Sequence, residues 1–208
     1  MHLRAEAILL SIRSHGEHGA VVRALTEEHG LLPGYVRGGR SRRLRPVLQP
    51  ANIVLGDWRA RTEEQLAALT VEPIRSRAAL FAEPLPAAAL EWVTALAAAT
   101  LPEGQPYPRI WAALDGVIGA VEAAPSARGW ALPLARYELL LLAELGYGLD
   151  ADRLPQELRE GGSADWPAIF AALRTTGEAL ERNLLAERRA DLPSARARLV
   201  ERLQRAVA

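Results

Sequence analysis

The sequence contains no cysteine and no lysine. The first absence excludes disulfides and thiolate metal sites, zinc of the Cys type included, and fits a reducing compartment. The second means that each of the 25 formal cations is an arginine, so basic chemistry here is guanidinium chemistry throughout. Aromatic residues make up only 5% of the chain, leaving few rings for any stacking surface. Net charge is absent as well, because 25 carboxylates cancel the 25 arginines. No apolar run reaches the roughly 18 uninterrupted residues of a spanning helix. Leu85 to Leu101 is broken by Glu91, and Trp130 to Leu145 by Arg136, Glu138 and Glu144. The opening Met-His-Leu-Arg-Ala-Glu lacks the basic and then apolar pattern of a secretion signal. Together these features predict a cytoplasmic protein with no membrane partner.

Half of the 208 residues are apolar, enough for a real core in one large or two small domains. The charge divides unevenly: residues 1–77 carry +4 and the remainder −4. Such asymmetry hints at a polyanion-facing part joined to something else. The first 75 residues are rich in β-branched residues, glycine and closely spaced turn signals, and predict five strands. These are Ala7 to Arg13, Ala20 to Glu27, Leu31 to Val36, Asn52 to Arg61 and Gln65 to Ile74, with His15-Gly16-Glu17-His18-Gly19 as the first turn. The order suits a closed antiparallel barrel of the OB-fold type, whose open face and loops bind oligonucleotides. From Arg77 onward alanine and leucine dominate, and apolar residues recur three and four apart, as in Leu90, Val93, Leu96 and Ala97. Helices are expected at Pro86 to Thr100, Tyr107 to Ala123, Leu132 to Leu145, Trp166 to Glu187 and Pro193 to Ala206. The fold class is thus a two-domain α+β protein, with an OB-fold barrel over residues 1–76 and an all-α domain over 77–208.

Between the third and fourth strands lies Arg37-Gly38-Gly39-Arg40-Ser41-Arg42-Arg43-Leu44-Arg45, five guanidiniums and no carboxylate in nine residues. Arginine presents five donors in a rigid fork matched to phosphate oxygens, and a cluster on a mobile Gly-rich segment could track a flexible polyanion. The competing reading is an ordinary solvated loop in a protein that writes every cation as arginine. Tyr35 stands two residues before Arg37 and shares its strand face by alternation, at the edge of the basic surface or in the barrel core. In Asp57-Trp58-Arg59-Ala60-Arg61 the alternation sets Arg59 and Arg61 on one face and Trp58 on the core side.

Catalytic constellations are missing. His15 and His18 fall in a turn without a third ligand, and Asp150 with Asp152 reads as a helix-ending acidic loop. Gly38-Gly39 is not followed by the Lys and Ser or Thr of a P-loop. The pattern favours binding over catalysis, with no cofactor.

These residues resemble the recombination mediator RecO family. The resemblance rests on Ile8-Leu9-Leu10-Ser11, the His15-Gly16-Glu17 turn, Leu25-Thr26 before Gly30, and Arg37 to Arg43 running on to Leu48-Gln49-Pro50. It resumes at Tyr137-Glu138 and at Leu145-Gly146-Tyr147-Gly148-Leu149-Asp150. It implies an OB-fold, a helical domain, and non-enzymatic work in RecF-type recombinational DNA repair. Such a protein would bind single- and double-stranded DNA and anneal complementary strands. With RecR it would help load RecA on DNA coated by single-stranded DNA-binding protein, in the cytoplasm at the nucleoid. The resemblance implies Arg37, Arg40, Arg42, Arg43 and Arg45 as DNA-binding residues, and the strand alternation adds Arg59, Arg61 and Tyr35. Many family members carry a four-cysteine zinc module after the Gly-Tyr-Gly-Leu-Asp signature. This chain has no cysteine, so zinc is not carried over, and residues 151–165 stand as a short replacement. A non-catalytic interaction scaffold and an RNA-binding OB module remain as alternatives.

Overall fold

The computed structural model describes residues 2–62, 65–150, 154, 158, 164–186 and 191–207. The chain divides into two compact units, Met1–Glu83 with Thr94–Trp111, and Pro84–Val93 with Ala112–Ala208.

The first unit contains β1 (His2–His15), β2 (Gly19–Thr26), β3 (Gly30–Val36), β4 (Ile53–Arg59) and β5 (Ala68–Arg75). They close into a barrel in the order β1-β2-β3-β5-β4, the OB-fold arrangement. β1 is five residues longer at its start than the sequence pattern predicts. Its first half pairs with β4, from His2↔Arg59 to Ile8↔Ile53, and its second half with β2, from Ala7↔Thr26 to His15↔Gly19. The β1–β2 register shifts between Leu9 and Ser11, beside this change of partner. The closing pair β3–β5 is parallel, at Tyr35↔Ala68, where an antiparallel barrel was expected. An odd number of strands cannot alternate direction all the way around a closed ring, so one neighbouring pair must run the same way.

Alternation fills the barrel with Ala7, Leu9, Ala20, Val22, Val36, Val54, Leu69 and Val71 around a fully buried Trp58. Two glycines make room for that indole. A Cβ on Gly56 would lie 2.3 Å from the Trp58 ring, and one on Gly34 would lie 2.7 Å from the Leu69 Cβ and 3.0 Å from Trp58 Nε1. The 101–105 segment lies against the β2–β3 turn. Gly104 N donates to Leu31 O at 3.0 Å, and Gly30, at φ +68°, approaches Gln105 too closely for any side chain.

Among the described residues the α-helices are α1 (Pro84–Thr100), α2 (Pro108–Ala123), α3 (Ala131–Glu144), α4 (Trp166–Leu180) and α5 (Asp191–Val207). Pro at the start of α1 fits a first turn, where its missing N–H goes unused, and the Asp165 carboxylate caps α4 by accepting from Ala168 N at 3.0 Å. α4 does not run on as a regular helix toward Glu187. It ends at Leu180 and continues as a π-helical turn over Glu181–Leu185. The expected replacement segment 151–165 lies, apart from residues 154, 158, 164 and 165, outside the described residues.

A buried polar cluster holds the second unit together. The fully buried Glu138 carboxylate on α3 accepts from Trp92 Nε1 (α1) at 2.8 Å and from Arg196 Nε and Nη2 (α5) at 2.8 Å each. Thr176 Oγ1 on α4 also donates to it. Arg196 Nη2 donates further to Leu173 O at 2.5 Å, and its guanidinium lies 6.0 Å from the Trp92 ring centre. Burial works against the Arg196 charge, but the Glu138 carboxylate outweighs it and holds the guanidinium pKa above its ordinary value. Burial likewise pushes the Tyr137 phenol well up, with the neighbouring Glu138 charge adding to the effect.

Candidate nucleic-acid interface

The arginine run is a folded cap tied to the barrel at several points, unlike the mobile segment its glycines suggest. At its start Gly38 takes φ +68°, and Gly39 passes so close to the barrel that a Cβ there would lie 2.7 Å from the Ala20 Cβ. Arg40 N donates to His18 O at 3.3 Å and Arg40 Nη1 to Glu17 O at 3.2 Å, pinning the cap to the β1–β2 turn. Ser41 then opens a helical turn: its Oγ accepts from Leu44 N, and Arg45 N and Leu48 N donate to Ser41 O and Leu44 O. That geometry sends Leu44, Val47 and Leu48, spaced three and four apart, onto the barrel core. Arg42, Arg43 and Arg45 are left exposed.

The far end is fixed by Asn52, whose Nδ2 donates to Pro46 O and Val47 O at 3.0 and 2.9 Å while its Oδ1 accepts from Arg77 N at 2.7 Å. Buried Arg77 also donates to the carbonyl of Ala51, a non-glycine residue at φ +66°. Ala51 N and Asn52 O in turn bond Leu9 of β1. The arginines therefore ride on a preorganised platform, so less side-chain freedom remains to be lost on binding.

Among the described residues no carboxylate pairs with Arg37, Arg42, Arg43 or Arg45, so four exposed guanidiniums are open to an external anion. A polar cleft of about 460 Å³ opens between the cap and β1, with Arg40, Arg45, Gln49 and Ser14 on its walls.

The barrel register brings most of the predicted site residues to one end. Tyr35 pairs with Ala68, and Ala68 with Arg59, so the Tyr35 and Arg59 backbones lie two strand spacings apart, about 10 Å. Arg59 nonetheless differs from the loop arginines. Its Nε and Nη2 bond both oxygens of Asp57 at 3.0 and 2.8 Å, and Asp57 also meets His2 Nε2 at 3.1 Å. The Arg59 guanidinium, with His2, holds the Asp57 carboxyl below its ordinary range, and the carboxylate raises Arg59 in return. The alternation that places Arg59 outward also places Asp57 there, so this neutralising partner was visible in the sequence. Arg61 is exposed and unpaired among the described residues. Tyr35 is half-buried and points outward, opposite Val36 in the core, with its ring tip over Gly19 and its ring perpendicular to that of His15, the two centres 5.9 Å apart.

Two residues outside the sequence expectation join this surface. Arg13 pairs with Val21, which pairs with Tyr35, so all three share a row on the outer face, and exposed His15 follows Arg13 on the same face. Strict alternation from Ala7 and Leu9 would turn Arg13 and His15 inward; the register shift between Leu9 and Ser11 reverses the face, and nothing in the local sequence pattern signals it.

The second unit presents an apolar groove of about 550 Å³ between α2 and α3, lined by Ala113, Gly116, Val117, Pro133, Leu139 and Leu140 among others. Among the described residues no helix is long and apolar enough to cross a membrane.

Comparison with known proteins matches both units. The family described as Recombination protein O N terminal covers residues 1–77, and Recombination protein O C terminal covers residues 85–205. The DNA repair protein RecO of Cereibacter sphaeroides is 36% identical over 243 aligned residues, covering 99% of this chain and 100% of the relative. That of Ruegeria sp. is 36% identical with 100% of both chains covered, and that of Rhodospirillum centenum 36% with 97% and 94% covered. An OB barrel followed by helices, matched in order by both halves of one family and end to end by its curated members, places this chain in the RecO family.

Proposed function

We propose that this RecO-family protein works in DNA repair as a non-catalytic recombination mediator. It binds single- and double-stranded DNA, anneals complementary strands, and with RecR helps RecA onto DNA coated by single-stranded DNA-binding protein. Residues 1–76 handle the DNA and residues 77–208 the protein partners.

The observation that carries this reading is the cap on the OB barrel, where Arg37, Arg42, Arg43 and Arg45 are exposed without carboxylate partners among the described residues. Two DNA strands repel one another through their phosphates. A rigid surface of free guanidiniums lowers that repulsion by contacting backbone alone, so the bases stay available to pair. Arg40, held over the hairpin by Glu17 O, and Arg45 line the polar cleft, where a phosphate would meet both with Ser14 and Gln49. Arg61 extends the basic end, while Arg59 contributes less because Asp57 already neutralises it. In the helical unit the groove between α2 and α3 gives an apolar segment of a partner protein a place to lie.

The test is a fluorescence annealing assay with complementary oligonucleotides, bare and precoated with single-stranded DNA-binding protein. Wild-type protein accelerates annealing in both cases and Arg42→Ala with Arg43→Ala loses most of that acceleration. A double variant that anneals as fast as wild type contradicts the assignment.

A further inference from the structure

The outer face of β1, β2 and β3 is used unevenly. Toward the β2–β3 turn it is spoken for: Arg23 donates to Ala98 O at 2.6 Å and pairs with Glu103 at 3.1 Å. Toward the arginine cap nothing covers it among the described residues, and Arg13 and His15 stay exposed. There the His15 and Tyr35 rings meet edge to face at 5.9 Å with an interplanar angle of 81°. The pair is built rather than incidental. A Cβ on Gly19 would lie 2.3 Å from the Tyr35 hydroxyl oxygen, so only glycine lets the Tyr35 ring settle across β2 and back the histidine. Arg13 stands two residues before His15 on the same face, and Arg37 two residues after Tyr35; neither has a carboxylate partner among the described residues.

We infer that the His15–Tyr35 ring pair is a stacking site for an unpaired nucleobase of single-stranded DNA, with Arg13 and Arg37 holding the flanking phosphates. The inference rests on the DNA-binding reading above and adds a specificity element to it. Guanidiniums alone grip any phosphate backbone, paired or not. An exposed imidazole backed by a perpendicular phenol ring offers a π-face that only an unstacked base can use. The arginines on either side fix the occupant's chemistry, because an apolar or acidic protein segment would use the rings or the cations but not both in alternation. A single strand held by one base also keeps its neighbours splayed for pairing with a complement.

The test compares two probes of equal length and charge, a labelled oligo-dT and an abasic deoxyribose-phosphate chain, by fluorescence anisotropy at fixed salt. The wild-type protein binds oligo-dT about tenfold more tightly than the abasic chain, the scale of one base stacked on an aromatic ring. His15→Ala, at an exposed position, collapses that ratio toward one, and His15→Phe restores it by returning a ring. Arg42→Ala with Arg43→Ala weakens both probes together and keeps the ratio. Equal wild-type affinity for the two probes, or an unchanged ratio in His15→Ala, overturns the stacking site while leaving the phosphate reading intact. Arginine variants that bind both probes like wild type would instead strike at the DNA-binding reading itself.

Discussion

Replacing Arg196 by alanine tests the second unit at its most demanding point. Glu138 is fully buried, and Arg196 supplies two of the four donors that hold its carboxylate. Removing the guanidinium leaves a buried anion whose donors among the described residues are only the Trp92 N–H and the Thr176 hydroxyl. Breaking such a pair from one side costs about 3–5 kcal/mol. At a urea dependence of about 2 kcal/mol/M, the far-UV circular dichroism midpoint should fall by roughly 1.5–2.5 M. Removing both charges is the informative control. Glu138→Leu with Arg196→Met leaves no buried ion, and Thr176 keeps the Ala172 carbonyl at 3.2 Å, so the main remaining loss is the acceptor for Trp92 Nε1, about 1–3 kcal/mol. The double variant should therefore be more stable than Arg196→Ala. A single variant costing under about 1 kcal/mol, or a double variant as damaged as the single, would refute the claim that this pair locks α1, α3, α4 and α5 together.

Two helical glycines should respond in opposite directions to alanine. Gly119 in α2 has open space where a Cβ would go, so Gly119→Ala should stabilise by about 0.5–1 kcal/mol in thermal unfolding. A Cβ on Gly177 would lie 2.3 Å from Arg196 Nη1, on a guanidinium tethered to Glu138 through Nε and Nη2, so Gly177→Ala should lower the melting temperature despite its better helix propensity. Asp57 should titrate below its ordinary 3.8 by side-chain NMR, and Arg59→Ala should move it back up. Because the folded pKa is depressed, the stabilisation it brings is full above the unfolded value and is lost as pH falls through the folded one. An Asp57 titration unmoved by Arg59→Ala would contradict the ion pair.

Much of this architecture was legible in the sequence because its signals are local. Glycine turns at Gly16 and Gly30 and the alternation that buries Trp58 and exposes Arg59 marked the strands without any tertiary information. What escaped depends on distant partners. The first residues of β1 are a strand because β4 lies beside them, and Glu138 meets an arginine 58 residues away in a core that composition alone would fill with leucine. The site shows the same division. The arginine run announced itself, but its rigidity comes from Leu44, Val47 and Leu48 seated on the barrel and from Asn52 and Arg77 at its end. Arg13 and His15 gain their place only once β2 sets them in a row with Tyr35.

The central claim is that the cap arginines hold DNA phosphates, and the salt dependence of single-strand affinity measures it directly. The four cap guanidiniums without carboxylate partners among the described residues, Arg37, Arg42, Arg43 and Arg45, contribute about −3 to the expected slope of log K against log salt, at roughly −0.7 per phosphate. Arg42→Ala with Arg43→Ala should reduce that contribution to about −1.4. A double variant that keeps both the wild-type affinity and the wild-type slope would contradict the account.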